Sequence, residues 1–266
     1  MDYLYHYTTL ETLELILQNK TIRFNSLQCV DDLEEKETSD AGDFGKYCFV
    51  SCWTKSPSED IPLWSMYSKN GKGVRVRLCK NPFKLFSHPV QEIAMTKGGV
   101  VVERYRGDYY NSYISEPNLT HDYNVFLNEN ILDEVIYTQD ESLIYPKIFK
   151  NTNQASFNQI GIYKSEKWRF QEESRYHFMV LPFNRGKIME YLANPSLAYD
   201  DMFSQRELPI YFIDLHLDED KINDMEIMLG FNADEEDYEY AKSLVEKYNP
   251  TATLIKSELT GKVKLK

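Results

Sequence analysis

A chain of 266 residues, 42% hydrophobic and 27% charged, is long enough to bury a sizeable core and has the composition of an ordinary globular protein. Its formal net charge of −12 weighs against a general nucleic-acid coat, and its 20 Tyr and 14 Phe exclude a disordered chain. No stretch of ~18 apolar residues is present to span a membrane, and MDYLYHYTTLETLELILQNK lacks the basic start of a signal peptide.

In chain order, YLYHY at 3–7 predicts a short strand. Thr8 with Glu11 reads as a capping box, and Leu10, Leu13, Ile16 and Leu17 form an apolar stripe at helical spacing ending near Asn19–Lys20. TIRFN alternates as a second strand. Residues 28–46 read as an acidic loop with some helix, and YCFVSCW is strongly β-favouring. IPLWSMYSK suggests one or two helical turns with Trp64 in the core. Asn70-Gly71-Lys72-Gly73 is a turn, and VRVRL a strand with Val74, Val76 and Leu78 inward and Arg75 and Arg77 outward.

Residues 81–108 predict helix mixed with a strand, GVVVERYRG, and 109–163 are Tyr- and Asn-rich with helical patches. WRFQEESRYHFMVLPF from Trp168 reads as one long strand, with Gln171, Glu173, Arg175 and His177 along one face, opposite Trp168, Phe170, Tyr176 and Phe178. MEIMLG, an acid-capped helix burying Tyr238, Ala241, Leu244 and Val245, and TATLIKSEL close the chain. With no repeat or linker, 1–266 is expected to be a single α+β domain with a βαβ appendage from about residue 209.

Charge is uneven. Gly71–Gly107 holds eight Lys/Arg against two acids, whereas Asp214–Glu246 holds twelve acids against two Lys. A locally basic face suits a phosphate-bearing ligand as well as scattered solvation. Cys29, Cys48, Cys52 and Cys79 have no zinc-type spacing and read as free thiols of a cytoplasmic protein, so no metal site is expected from them.

Several blocks together resemble a bacterial domain-of-unknown-function family, number 2971: LYHYTTLETLELILQNKTIRFNS, FVSCWTK, LWSMYSKNGKGVRV, the pattern from Lys167 to Arg175, and MEIMLGFNADEEDYEYAKSLVEKYNP with IKSEL. The chain departs from that pattern at Asp31-Asp32-Leu33-Glu34, where the family often has Asn-Asp-Pro-x-Glu. It departs again at Gln171, where the family commonly has Glu. The opening His-Tyr-Thr before a capped helix is more distantly similar to ADP-ribosyltransferase-like proteins.

That resemblance implies a split mixed or antiparallel sheet with flanking helices. It also implies NAD as substrate, an ADP-ribose acceptor (protein, nucleic acid or small molecule), and a toxin or phage-defence role. It carries Glu173 to the catalytic acid, Gln171 to a substrate-facing position and His6 to a ribose contact, among the catalytic residues. His6, Tyr7, Thr8, Arg23, Ser51, Tyr67 and Arg175 become cofactor-binding candidates, with Arg23 as a diphosphate clamp and Tyr67 as a stacking ring.

A carboxylate beside the ribose stabilises the developing oxocarbenium charge when nicotinamide departs. Glu173→Gln is accordingly expected to keep the fold and abolish nicotinamide release. Two other classes stay open: a non-catalytic regulatory or binding domain on the same fold, and a metal-dependent nuclease using Asp31, Asp32, Glu34 and Glu173.

Overall fold

The computed structural model describes residues 2–95, 101–115, 122–127, 130–151, 154–182, 184 and 187–265. Gly99 and Val100 of the expected GVVVERYRG strand, and Phe183 at the end of the long strand, lie outside the described residues. So do short pieces of the middle third.

The chain opens with β1 (Tyr3–Thr8), α1 (Leu10–Asn19) and β2 (Thr21–Ser26), then β3 (Cys48–Thr54), α2 (Ile61–Tyr67) and β4 (Val74–Cys79). A hairpin of β5 (Phe86–Met95) and β6 (Val101–Ser112) replaces the helix expected after residue 81. The middle third is short strands rather than helical patches: β7 (Asn124–Phe126), β8 (Leu132–Glu134), β9 (Ile136–Thr138), β10 (Phe149–Asn151), β11 (Gln154–Ala155) and β12 (Tyr163–Ser165), with the single-turn α3 (Glu141–Ile144). The last part holds β13 (Glu173–Leu181), α4 (Ile188–Ala193), α5 (Pro195–Met202), β14 (Phe212–His216), β15 (Glu226–Leu229), α6 (Glu235–Tyr248) and β16 (Thr253–Lys256).

This is an α+β fold around a mixed sheet, ten-stranded among the described residues. The sheet forks at β3. One edge of β3 pairs with β13 from Thr54 to Cys48. The other edge is shared: β2 takes Phe49 and Val50, and β1 takes Thr54. β1 continues the sheet through β4 and β15 to β16, whereas β2 leads to β14. Both β1 and β2 run antiparallel to β3, so they diverge side by side, and α1 spans the gap between them.

α1 is held there by Leu10, Leu13, Ile16 and Leu17, all buried, each contributing roughly 1.5–3 kcal/mol. Its cap is Thr9, whose hydroxyl accepts from the Thr12 N–H at 3.2 Å, one residue later than the sequence pattern placed it. Thr8 stays in the strand, and Glu11 pairs instead with Lys69. Gly73 has no room for a side chain, since a Cβ would lie 2.2 Å from the Thr8 carbonyl oxygen. That close approach seats the Asn70–Gly73 turn against the end of β1.

β15, α6 and β16 form a parallel βαβ unit, but β15 pairs with β4, so the unit extends the main sheet instead of hanging from it. β14 joins the opposite end on β2, so the strands after residue 209 are divided between the two margins. Arg75 does not face solvent. β4 is an inner strand, and Arg75 is buried with its guanidinium 4.7 Å from the Tyr5 ring centroid and Nη1 donating to the Pro57 carbonyl at 3.0 Å.

The long strand expected from Trp168 begins only at Glu173. Glu166–Gln171 is a 3₁₀ helix, and Glu172 turns the chain through a left-handed conformation at φ 42°. Gln171 therefore does not share strand parity with Glu173. Phe170 is exposed, while Tyr176 and Phe178 sit in the core with Phe24. Among the described residues, no helix is long and apolar enough to cross a membrane.

Candidate functional site

A cavity of about 400 Å³ opens in the fork of the sheet, within the roughly 300–1,000 Å³ range of small-molecule sites. β1, β2 and β3 line it, α1 closes one side, and Tyr67, Gln171 and Lys164 close the other. Sheet register explains how residues from both faces reach it. Tyr5 is opposite Thr54, and Thr54 is opposite Glu173, so these three share a face. His6, one residue on, faces the other way with Trp53. Both faces border the cavity because the sheet is parted there.

Glu173, Gln171, His6, Tyr7, Thr8, Arg23, Ser51, Tyr67 and Arg175 all border this one cavity. The polar face of the long strand is not solvated, because Glu173, Arg175 and His177 are buried. His177 Nε2 lies 2.7 Å from the Asp133 carboxylate, away from the cavity lining.

Glu173 sits in a closed quartet of charges. Arg175 Nε donates to Glu173 Oε1 at 2.6 Å, and Lys164 Nζ lies 3.4 Å from Oε2. Glu35 pairs with both cations, at 2.9 Å to Lys164 and in a short contact to Arg175 Nη1. All four side chains are at most 5% exposed. Burial alone would raise the Glu173 pKa, but Arg175 and Lys164 overcome it and hold the carboxyl at about 2. The acid is therefore ionised, and the Cys52 thiol is hydrogen-bonded to it as well.

His6 Nδ1 lies 2.8 Å from the Cys52 carbonyl, and its ring stacks 4.9 Å from Trp53. A carbonyl only accepts, so Nδ1 carries the proton. Burial lowers the His6 pKa, so the ring is neutral and Nε2 is an acceptor. With Nδ1 engaged by the Cys52 carbonyl, a ribose hydroxyl meeting His6 would donate to Nε2.

Gln171 Nε2 donates to the Tyr67 hydroxyl at 2.7 Å, and its buried Oε1 has no partner. Burial and the nearby Asp31 carboxylate push the Tyr67 phenol well above its ordinary range. Ser51 accepts from Trp53 Nε1 at 3.0 Å, fixing the wall behind His6. The Tyr7 hydroxyl accepts from the Asp60 N–H at 3.0 Å, and its ring packs edge-on to Trp64. Thr8 is buried at the end of β1. Arg23 is already clamped: Nε and Nη2 meet the two Asp214 oxygens at 2.9 and 3.0 Å, with the Phe212 ring 3.6 Å beneath. Its use as a diphosphate clamp is restricted by that pairing to the donors Asp214 leaves open.

The acids proposed for a metal do not assemble. Among the described residues, no group of three His, Cys, Asp or Glu is placed to hold an ion. Asp32 instead accepts from the Glu34 N–H within its own loop, and Glu173 already holds two cations.

No family model, curated protein or solved structure matches this chain. The site therefore rests on its own geometry. Sequence reasoning missed Glu35 and Lys164. Glu35 stands in an acidic loop with nothing to distinguish it from its neighbours, and Lys164 is delivered by a three-residue strand without periodicity.

Proposed function

We propose that the fork cavity binds NAD and that the chain is an ADP-ribosyltransferase-like protein. The observation that carries this reading is an ionised, buried carboxylate, Glu173, in the wall of a cavity lined by a neutral His6 acceptor and aromatic rings. In the reaction, the bond between ribose C1′ and the nicotinamide nitrogen breaks, and the electron pair leaves with neutral nicotinamide. Glu173 stabilises the oxocarbenium charge. An acceptor nucleophile then bonds to C1′ and gives up its proton to solvent, while His6 Nε2 holds the ribose hydroxyl.

The forked α+β sheet and the resemblance of the His6-Tyr7-Thr8 and Gln171-Glu172-Glu173 segments to that group support the same reading. Four free cysteines fit a reducing compartment such as the cytoplasm. A toxin or phage-defence role follows from the resemblance. The acceptor is to be sought among proteins, nucleic acids and small molecules.

A second reading is favoured by one observation: both Glu173 oxygens are engaged by cations, which suits a non-catalytic binding domain as well. Nicotinamide release separates the two. Wild type is compared with Lys164→Met/Glu173→Gln, which removes one charge of each sign and keeps the quartet neutral. Release by wild type that is lost in the folded double variant supports the transferase. Saturable NAD binding without release, across acceptor classes, supports the binding domain.

A further inference from the structure

Glu173 is held by its carboxylate and, separately, by its backbone. Its N–H donates to the Tyr137 hydroxyl at 2.9 Å, and its carbonyl accepts from the Val135 N–H at 2.9 Å. The carbonyl before it, on Glu172, accepts from Thr54 Oγ1 at 3.1 Å. Both peptide units flanking the acid are therefore tied, directly after the left-handed turn at Glu172. At the first residue of β13, a phenol stands where a neighbouring strand would otherwise offer a carbonyl.

Strand register places the phenol there. β9 and β12 pair in parallel, with Tyr137 directly opposite Lys164. Opposed residues on neighbouring strands share a face. One two-stranded unit thus delivers both contacts: Lys164 Nζ lies 3.4 Å from Glu173 Oε2, and the Tyr137 hydroxyl meets the Glu173 N–H. Tyr137 is also braced from the 3₁₀ helix that carries Gln171. The Arg169 guanidinium lies 5.6 Å from its ring centroid, and Nη2 donates to its carbonyl at 3.4 Å. Burial pushes the phenol up to about 12, so it stays neutral beside the Glu173 carboxylate.

We infer that Tyr137 is a positioning residue: its hydroxyl accepts the first amide of β13 and so aims the Glu173 carboxylate into the fork cavity. The effect on turnover rests on the NAD reading. Tyr137 is not among the residues lining the cavity, whereas Glu173 is, so it acts through the acid without touching the ligand. Stabilisation of an oxocarbenium charge depends steeply on where the carboxylate sits. Loss of the hydroxyl therefore lowers turnover and leaves substrate affinity in place.

The test is nicotinamide release by wild type and Tyr137→Phe, which removes only the hydroxyl and keeps the ring. Circular dichroism and thermal melting verify the fold. The expected result is a kcat lower by about tenfold or more, with KM for NAD within about threefold of wild type. A kcat within about threefold of wild type, or a KM raised as far as kcat falls, overturns the inference.

If wild type releases no nicotinamide, the NAD reading fails on its own, and amide hydrogen exchange read by NMR decides the positioning inference. Exchange at Glu173 faster by about tenfold or more in Tyr137→Phe, with Phe178 on the same strand unchanged, sustains it. Unchanged exchange at Glu173, or equal acceleration along β13, overturns it.

Discussion

Arg175 Nε donates to Glu173 Oε1 across 2.6 Å, two residues apart on one strand, with both side chains sealed from solvent. Neighbours at this spacing share a strand face, so β13 brings its own acid and base into contact without any turn. The pair is completed from elsewhere in the chain, by Glu35 from the acidic loop and Lys164 from β12.

That closure changes what Glu173→Gln should do. Removing one partner of a buried network leaves Lys164 and Arg175 short of a counter-charge, at a cost of about 3–5 kcal/mol. Glu173→Gln is thus expected to lose stability as well as activity, correcting the expectation of an intact fold. Lys164→Met/Glu173→Gln should recover more than half of the loss. Urea denaturation of the two variants and wild type checks this; equal stability of all three would show the quartet to be energetically idle.

Acid stability follows from the same carboxylate. Glu173 has an ordinary pKa of 4.5 and a folded value of about 2. Between these values the unfolded chain binds the extra proton, so stability rises with pH. The contribution is complete above about 4.5 and fades as pH falls toward 2. Denaturation midpoints of wild type should drop through this window more steeply than those of Lys164→Met/Glu173→Gln.

His6 should carry its proton on Nδ1 and stay neutral at pH 6.5, because the Cys52 carbonyl takes that hydrogen and burial disfavours the charge. Its depressed pKa means the unfolded chain binds more protons just below the ordinary value, so the residue's contribution to stability falls with acidification. Nitrogen-15 NMR of the imidazole reads both the tautomer and the charge. A proton found on Nε2 would contradict the acceptor role.

Thiol labelling gives a simple map of the site. Cys29 is exposed and lines the cavity, while Cys48 is buried with its thiol pushed up to about 12 by desolvation. Cys52 is raised further by burial and the Glu173 charge. Iodoacetamide under native conditions should modify Cys29 first and leave Cys48 and Cys52 unreacted, with bound NAD slowing the reaction at Cys29. Mass spectrometry of the peptides shows the order.

The regular elements were legible because their signals are local. The stripe Leu10, Leu13, Ile16, Leu17 makes α1, and Asp234 with Asp237 caps α6 as the acids suggested. The nine candidates named from the sequence all border one cavity, yet Glu35, Lys164 and the mutual geometry were not legible. Strand parity separates His6 from Glu173, and only the fork at β3, a long-range pairing choice, lets both reach one cavity.

The break at Glu172 was equally hidden. Alternating polar residues from Gln171 to His177 imitate a solvated strand, whereas Gln171 ends a 3₁₀ helix and the rest face buried partners. Those partners, Lys164, Asp133 and Glu35, lie nine, 44 and 140 positions away in sequence, without a distinguishing pattern of their own. Pairing at such distances leaves no trace in a single sequence.

The most direct test of the fork cavity as the NAD site is a calorimetric titration of NAD into wild type and His6→Gln. One-to-one binding by wild type, weakened about tenfold or more in a variant of similar melting temperature, is the predicted result. Unaltered affinity in His6→Gln, or no binding by wild type at millimolar NAD, would contradict it.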